Sequence, residues 1–108
     1  MRAITRSVTG VGSTTPIPLD NYISPFNVGV GVTVTGTVTY TVQHTFDDVF
    51  AQGFDPATAT WFNHPTLTGS ASLDGNYAFP VTAIRVTNAG GSTGTTKITV
   101  VQAGLVGA

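Results

Sequence analysis

His44, His64, the Asp47-Asp48 pair, Trp61, Tyr77 and Arg85 are the side chains of this sequence with chemistry to offer. His44 follows Val42 and precedes Phe46 at every second position, so it belongs to an apolar face. As a base or metal ligand it would need partners, and Asp47 and Asp48 are the nearest acids in the chain. The simpler expectation is a histidine near a sheet end, hydrogen-bonded to a turn, because buried polar groups are normally satisfied locally. His64 precedes Pro65, which restricts it to extended backbone. Two histidines and one aspartate would leave zinc an open position. Their spacing matches no ligand motif, so no metal and no cofactor is assigned. Asp47-Asp48 could hold calcium with backbone oxygens, but no acidic loop accompanies them. Side-chain capping of a turn is the expected role.

Trp61, Phe62 and Tyr77 could make a sugar-stacking platform. Adjacent strand residues point to opposite faces, so Trp61 and Phe62 cannot share one surface. Trp61 is therefore expected in the core or a subunit interface. As a core residue, its replacement by alanine would cost ~3–5 kcal/mol. Arg85, between Ile84 and Val86, faces outward and reads as a surface contact, an interface contact or a salt bridge to an aspartate. Trp61, Tyr77 and Arg85 are the candidate ligand or interface residues. No Ser-His-Asp order and no glutamate is present. Gly10-Val11-Gly12-Ser13 lacks the following helix that would make it a phosphate loop. No catalytic residue is assigned, and a non-enzymatic protein is expected.

The elements that must position these residues are strands. The chain has 108 residues, and its 20 threonines, 14 valines, 13 glycines and six prolines are β composition with turn punctuation. Charged residues are 8% of the total, against roughly 25% in an ordinary soluble protein. The four cations, Arg2, Arg6, Arg85 and Lys97, are scattered, so no nucleic-acid partner is expected. No apolar run approaches the ~18 residues of a membrane helix, and the basic start lacks the apolar segment of a signal peptide. With no cysteine, disulfide frameworks and thiolate chemistry are excluded. So little charge on a surface of threonine and glycine points to a surface covered by neighbours.

The strongest pattern runs from Phe26 to Phe46, with apolar residues at even positions and glycine or threonine at most odd ones. A single strand of this length would span ~70 Å, so it must fold back or bend, and Gly36 is the natural place. A three-residue loop at Thr35-Gly36-Thr37 pairs Val34 with Val38 and keeps one face apolar, which favours a hairpin. A continuous strand bending at Gly36 to cross between sheets is the alternative. Elsewhere a first strand is read at Thr5–Thr9, an edge segment at Pro16–Leu19, and turns at Asn21–Pro25 and Asp74–Asn76. A long loop follows over 49–59. A short strand at Ala59–Asn63 is interrupted by His64-Pro65, and a possible edge strand follows over 66–73. Strands at Val81–Thr87 and Thr95–Gln102 close the chain as a hairpin. Seven or eight strands and no helix predict an all-β, jelly-roll-like antiparallel β-sandwich. It is a single domain over residues 1–108, with a core over roughly 26–103, an N-terminal arm over 1–25 and a short tail over 104–108.

Several segments together carry a resemblance. They are VTVTGTVTYTVQHTFDD at 32–48, Thr60-Trp61-Phe62, Asp74-Gly75-Asn76-Tyr77, Val81–Thr87 and Thr95–Gln102. This run resembles small β-sandwich virion proteins of tailed bacteriophages, head decoration (cement) proteins among them. It also resembles carbohydrate-binding, galactose-binding-like jelly rolls. Both share a hairpin, an Asp-containing turn, a Trp and an Ile-Arg-Val strand paired with the C-terminal strand. The first resemblance implies a virion component, most simply a capsid decoration protein on the capsid exterior. Its partners would be the major capsid protein or other virion proteins, and a homo-oligomer is expected, with no nucleic acid and no membrane. Tail or head–tail components and a carbohydrate-binding module are the alternatives.

Overall fold

A computed structural model describes residues 3–19 and 27–102. Among them are nine strands and no helix: β1 (Ile4–Thr9), β2 (Gly12–Ser13), β3 (Ile17–Pro18), β4 (Val28–Thr35), β5 (Tyr40–Thr45), β6 (Phe62–Gly69), β7 (Leu73–Tyr77), β8 (Ala83–Asn88) and β9 (Thr95–Gln102). One sheet has the order β1-β9-β4-β7. The other has β2-β8-β5-β6, with β3 also on β8. All pairings are antiparallel and nested: β1 with β9, β2 and β3 with β8, β4 with β7, β5 with β6. A long two-stranded ribbon rolled up on itself gives this order, and that is the jelly roll the sequence predicts.

Even-numbered residues of β4 and β5 point inward. Val28, Val30 and Val32 face Tyr40 and Val42 across the sandwich, with Ile84, Val86, Ile98 and Val100 completing the core. Each such side chain contributes about 1.5–3 kcal/mol by leaving water. β4 and β5 lie in different sheets, so the hairpin expected at residues 35–37 does not form, and the chain crosses between sheets at Gly36 as in the alternative reading. The reason lies in a second corner. The β8–β9 connection crosses back at the same place, and the amides of Thr93 and Gly94 both donate to the Thr37 carbonyl at 2.9 Å. Gly36 has φ 83°, and a Cβ on Gly94 would lie 2.8 Å from the Thr37 nitrogen. Two glycines let the corners nest. For the same reason β8 and β9 are not a hairpin, and the Ile84-Arg85-Val86 strand pairs with β5 rather than with the C-terminal strand.

Three further expectations change. Asp74-Gly75-Asn76 is not a turn but the middle of β7, paired with Gly31, Val30 and Gly29. Gly75 is there because the Leu67 side chain passes 3.3 Å from where its Cβ would be. His64-Pro65 does not interrupt a strand; β6 runs through it and bulges. His64–Leu67 stand opposite Val42 alone. Proline is tolerated because β6 is an edge. The freed amides of Thr66 and Leu67 donate to His64 Nδ1, each at 3.2 Å. Residues 4–18, set apart as an arm, supply β1, β2 and β3 to both sheets. Asn88, buried between the sheets, fixes that segment. Its amide nitrogen donates to the Gly10 carbonyl at 2.7 Å and its oxygen accepts from Thr96 Oγ1 at 2.6 Å. The expected turn at Asn21–Pro25 and the tail over 104–108 lie outside the described residues.

Candidate functional site

Two clusters of functional side chains lie on the surface, one at an end of the sandwich and one on an outer face. The first is built where the even-numbered alternation of β5 outruns the strand. His44 still faces inward, whereas Phe46 lies past the end of β5 and is 53% exposed. Phe62 opens β6 directly opposite His44. Tyr77 closes β7 in the other sheet, and Phe79 follows it. The His44 ring is the hub. Its centroid lies 5.5 Å from Phe46, 5.9 Å from Phe62, 4.9 Å from Tyr77 and 5.4 Å from Phe79. Phe62 and Phe79 are about as exposed as Phe46, at 49% and 46%. Phe50, in the β5–β6 loop, is 78% exposed. The result is an aromatic mouth with its outer rim in solvent and its base locked.

The lock is polar. Tyr77 is fully buried, and its hydroxyl lies 2.9 Å from His44 Nδ1. This hydrogen bond joins the two sheets, where the sequence led us to expect His44 bonded to a turn. Burial holds the Tyr77 hydroxyl far above the ordinary phenol range. Burial first, and the nearby His64 second, lower His44 from its ordinary value. Both groups are thus neutral at pH 7, with the phenol proton available to the imidazole. His64 packs edge-on against the other side of Tyr77 at 4.9 Å. The two histidines therefore meet through a tyrosine ring. Both His64 nitrogens are engaged in hydrogen bonds, Nε2 with the Asn76 carbonyl at 3.1 Å. No cluster of three or more His and Asp side chains suited to a metal exists among the described residues. Asp47, Asp48 and Asp55 accept from the amides of Thr60, Phe50 and Ala57 at 2.9–3.0 Å and so shape the β5–β6 loop.

The second cluster lies on the outer face of the β5-containing sheet. Arg85 of β8 lays its guanidinium 4.1 Å from the centre of the Trp61 ring. Its Nε donates to Gln43 Oε1 at 2.9 Å, and Gln43 in turn donates to Asn63 Oδ1 at 2.9 Å. Trp61 Nε1 donates to the Pro56 carbonyl at 2.9 Å. Trp61 is half-buried and outside the core, which corrects the core alternative of the two expected, because it precedes β6 and caps the loop instead of entering the sandwich. Tyr77, the other aromatic singled out from the sequence, is internal and reaches a ligand only through His44 and Phe79. Among the described residues Arg85 makes no salt bridge to an aspartate.

The three candidates thus separate, with Trp61 and Arg85 together and Tyr77 beneath the mouth. Sequence reasoning missed Phe46, Phe62 and Phe79 as a surface. The available signal was Phe46 continuing the apolar alternation into the Asp47-Asp48 turn. No protein family matches the chain, and no match is found among curated proteins or solved structures.

Proposed function

We propose that this protein is a non-enzymatic structural component of a bacteriophage virion, a capsid decoration protein that reinforces the head by bridging capsid subunits. The observation that carries the docking half of this reading is the aromatic mouth of Phe46, Phe62 and Phe79 on its locked His44–Tyr77 base. Aromatic side chains dominate the energetics of protein interfaces, and rigid ones lose little entropy on contact. The virion half rests on the small sandwich fold and on the scarcity of charge. Of the features that carried the resemblance, the hairpin at 35–37, the turn at 74–76 and the pairing of Ile84-Arg85-Val86 with the C-terminal strand are absent from the described residues. Each half-exposed ring gains on the order of 1 kcal/mol on full burial. Three rings and Phe50 then supply roughly 5 kcal/mol before the cost of association, which is too little for one copy to hold alone. A repeating lattice, or a homo-oligomer presenting several mouths at once, overcomes this through effective concentration.

Self-association is expected through faces or loops and not through strand addition. Among the described residues every sheet edge carries a protecting feature. Arg6 lies on the inward side of β1, Asp74 is exposed on β7, β6 carries Pro65 and a bulge, and β2 and β3 are two residues each. A carbohydrate-binding module is the second reading, favoured by the exposed aromatic rings at one end. Phe46 is tilted by 60° against Phe62 and by 31° against Phe79, so these rings offer a pocket for side chains rather than a flat stacking platform. The test is co-sedimentation of the purified protein with capsids that lack it. Binding lost in Phe46→Ser/Phe79→Ser, with the melt retained, supports docking through the mouth. Saturable binding to glycans, with none to capsids, supports the second reading.

A further inference from the structure

Arg85 has the outer face of its sheet almost to itself. Around it lie Gln43, Asn63, Thr41, Thr68 and Thr87, all polar and all uncharged. Trp61 covers one face of the guanidinium. Nε is committed to Gln43, and Nη1 makes one long contact with the Pro56 carbonyl at 3.5 Å. Among the described residues no carboxylate balances the charge and nothing engages Nη2. Burial disfavours the Arg85 cation and lowers its pKa from the usual arginine value. A half-buried guanidinium, held in one orientation by an aromatic face and an amide, is an incomplete arrangement, because such charges are normally paired. Surface arginines are usually left free to move in water; this one is held by Trp61, Gln43 and Pro56, and Nη2 engages nothing among the described residues.

We propose that Arg85, stacked on Trp61 and held by Gln43, is the anchor of a binding site for a single carboxylate group. The planar fork of Nη1 and Nη2 matches the two oxygens of a carboxylate, which would accept two parallel N–H bonds. One cation suits a monoanion; a phosphate dianion would call for more positive charge than this face holds. The carboxylate comes either from an acidic side chain of a protein or from a uronic or similar sugar acid. The site is separate from the aromatic mouth and does not depend on the virion reading.

The test is an NMR titration that follows the Arg85 Nε–H and Trp61 Nε1–H resonances. The probes are sodium acetate, sodium glucuronate and a glutamate-bearing peptide, each against sodium chloride at equal ionic strength. Saturating shifts of both resonances with carboxylates, and none with chloride or neutral glucose, are expected. Arg85→Lys keeps the charge but loses the fork, and should weaken binding at least tenfold. If that variant melts early, the wild-type titration decides by itself. Carboxylates that move the two resonances no more than chloride does, or a folded Arg85→Lys protein that binds as well as the wild type, would overturn the proposal. With the site present, glucuronate binding tighter than the peptide identifies a sugar acid, and the reverse order identifies a protein side chain.

Discussion

Replacing Gly94 by alanine should cost about 3–5 kcal/mol, while the same replacement at Gly31 should cost almost nothing. The new methyl carbon at Gly94 would lie 2.8 Å from the Thr37 nitrogen and 2.9 Å from the Gly36 carbonyl carbon. Those are backbone atoms of the facing corner, so no side chain can swing aside. The corners must separate, which breaks the Thr93 and Gly94 amide bonds to the Thr37 carbonyl. Two lost hydrogen bonds contribute about 2 kcal/mol and overpacking a further 1–3 kcal/mol. In a domain of this size each kcal/mol moves the melting temperature by about 4–8 °C, so a fall of roughly 12–40 °C is expected. At Gly31 no atom lies within 4 Å of the added carbon and the backbone is ordinary strand. Alanine there removes only unfolded-state freedom and should be neutral or stabilising by a few tenths of a kcal/mol. Thermal melts of the two variants by circular dichroism make the comparison. Similar melts would refute the claim that nested corners define the roll.

Three other outcomes follow from the site. Trp61→Ala should cost about 1–2 kcal/mol, from the lost Nε1 bond and the lost stacking on Arg85, instead of the ~3–5 kcal/mol of a core tryptophan; urea unfolding measures it. Tyr77→Phe removes the partner of His44 Nδ1 and should cost about 1–3 kcal/mol while leaving the ring packing intact; a melt unchanged from wild type would show that the bond contributes nothing. The folded pKa of His44 is lowered, so the unfolded chain binds its proton first as pH falls. The contribution is therefore complete above about pH 6.5, the unfolded value, and is lost below it down through the folded pKa. Melts between pH 5 and 8 should show this loss in the wild type and a smaller one in His44→Gln.

The period-2 pattern from Phe26 to Phe46 was legible because alternation reports directly which side chains face inward. It could not say whether β4 and β5 share a sheet, since both arrangements put Val32 and Tyr40 on the inner side. What decides is the contact of Gly36 with Gly94, 58 positions away in the chain. Local composition misled at Asp74-Gly75-Asn76, where turn residues sit in a strand because Leu67 needs the space over Gly75. It misled again at His64-Pro65, where the imidazole satisfies the bulge that proline creates. The aromatic mouth was illegible for a similar reason. Phe46, Phe62 and Phe79 end or begin different strands, and only the rolled ribbon brings those ends together. Alternation puts Trp61 in the core or a subunit interface; its place outside the core is set by the Pro56 carbonyl of its own loop and by Arg85 of β8, and only the second comes from a distant segment.

Under the proposed function, this jelly roll docks on a capsid through its aromatic end, by apolar burial. The most direct measurement is retention on particles encoded by the same genome, washed at rising sodium chloride and imaged by cryo-electron microscopy. Apolar contacts do not weaken with added salt, whereas attachment through exposed charge is screened over about 8–10 Å and loosens. Docking through the mouth predicts ordered copies on the head, oriented with Phe46, Phe62 and Phe79 against the shell and retained at high salt. Particles without the protein, copies bound with the mouth facing solvent, or release at moderate salt with the shell intact would contradict it.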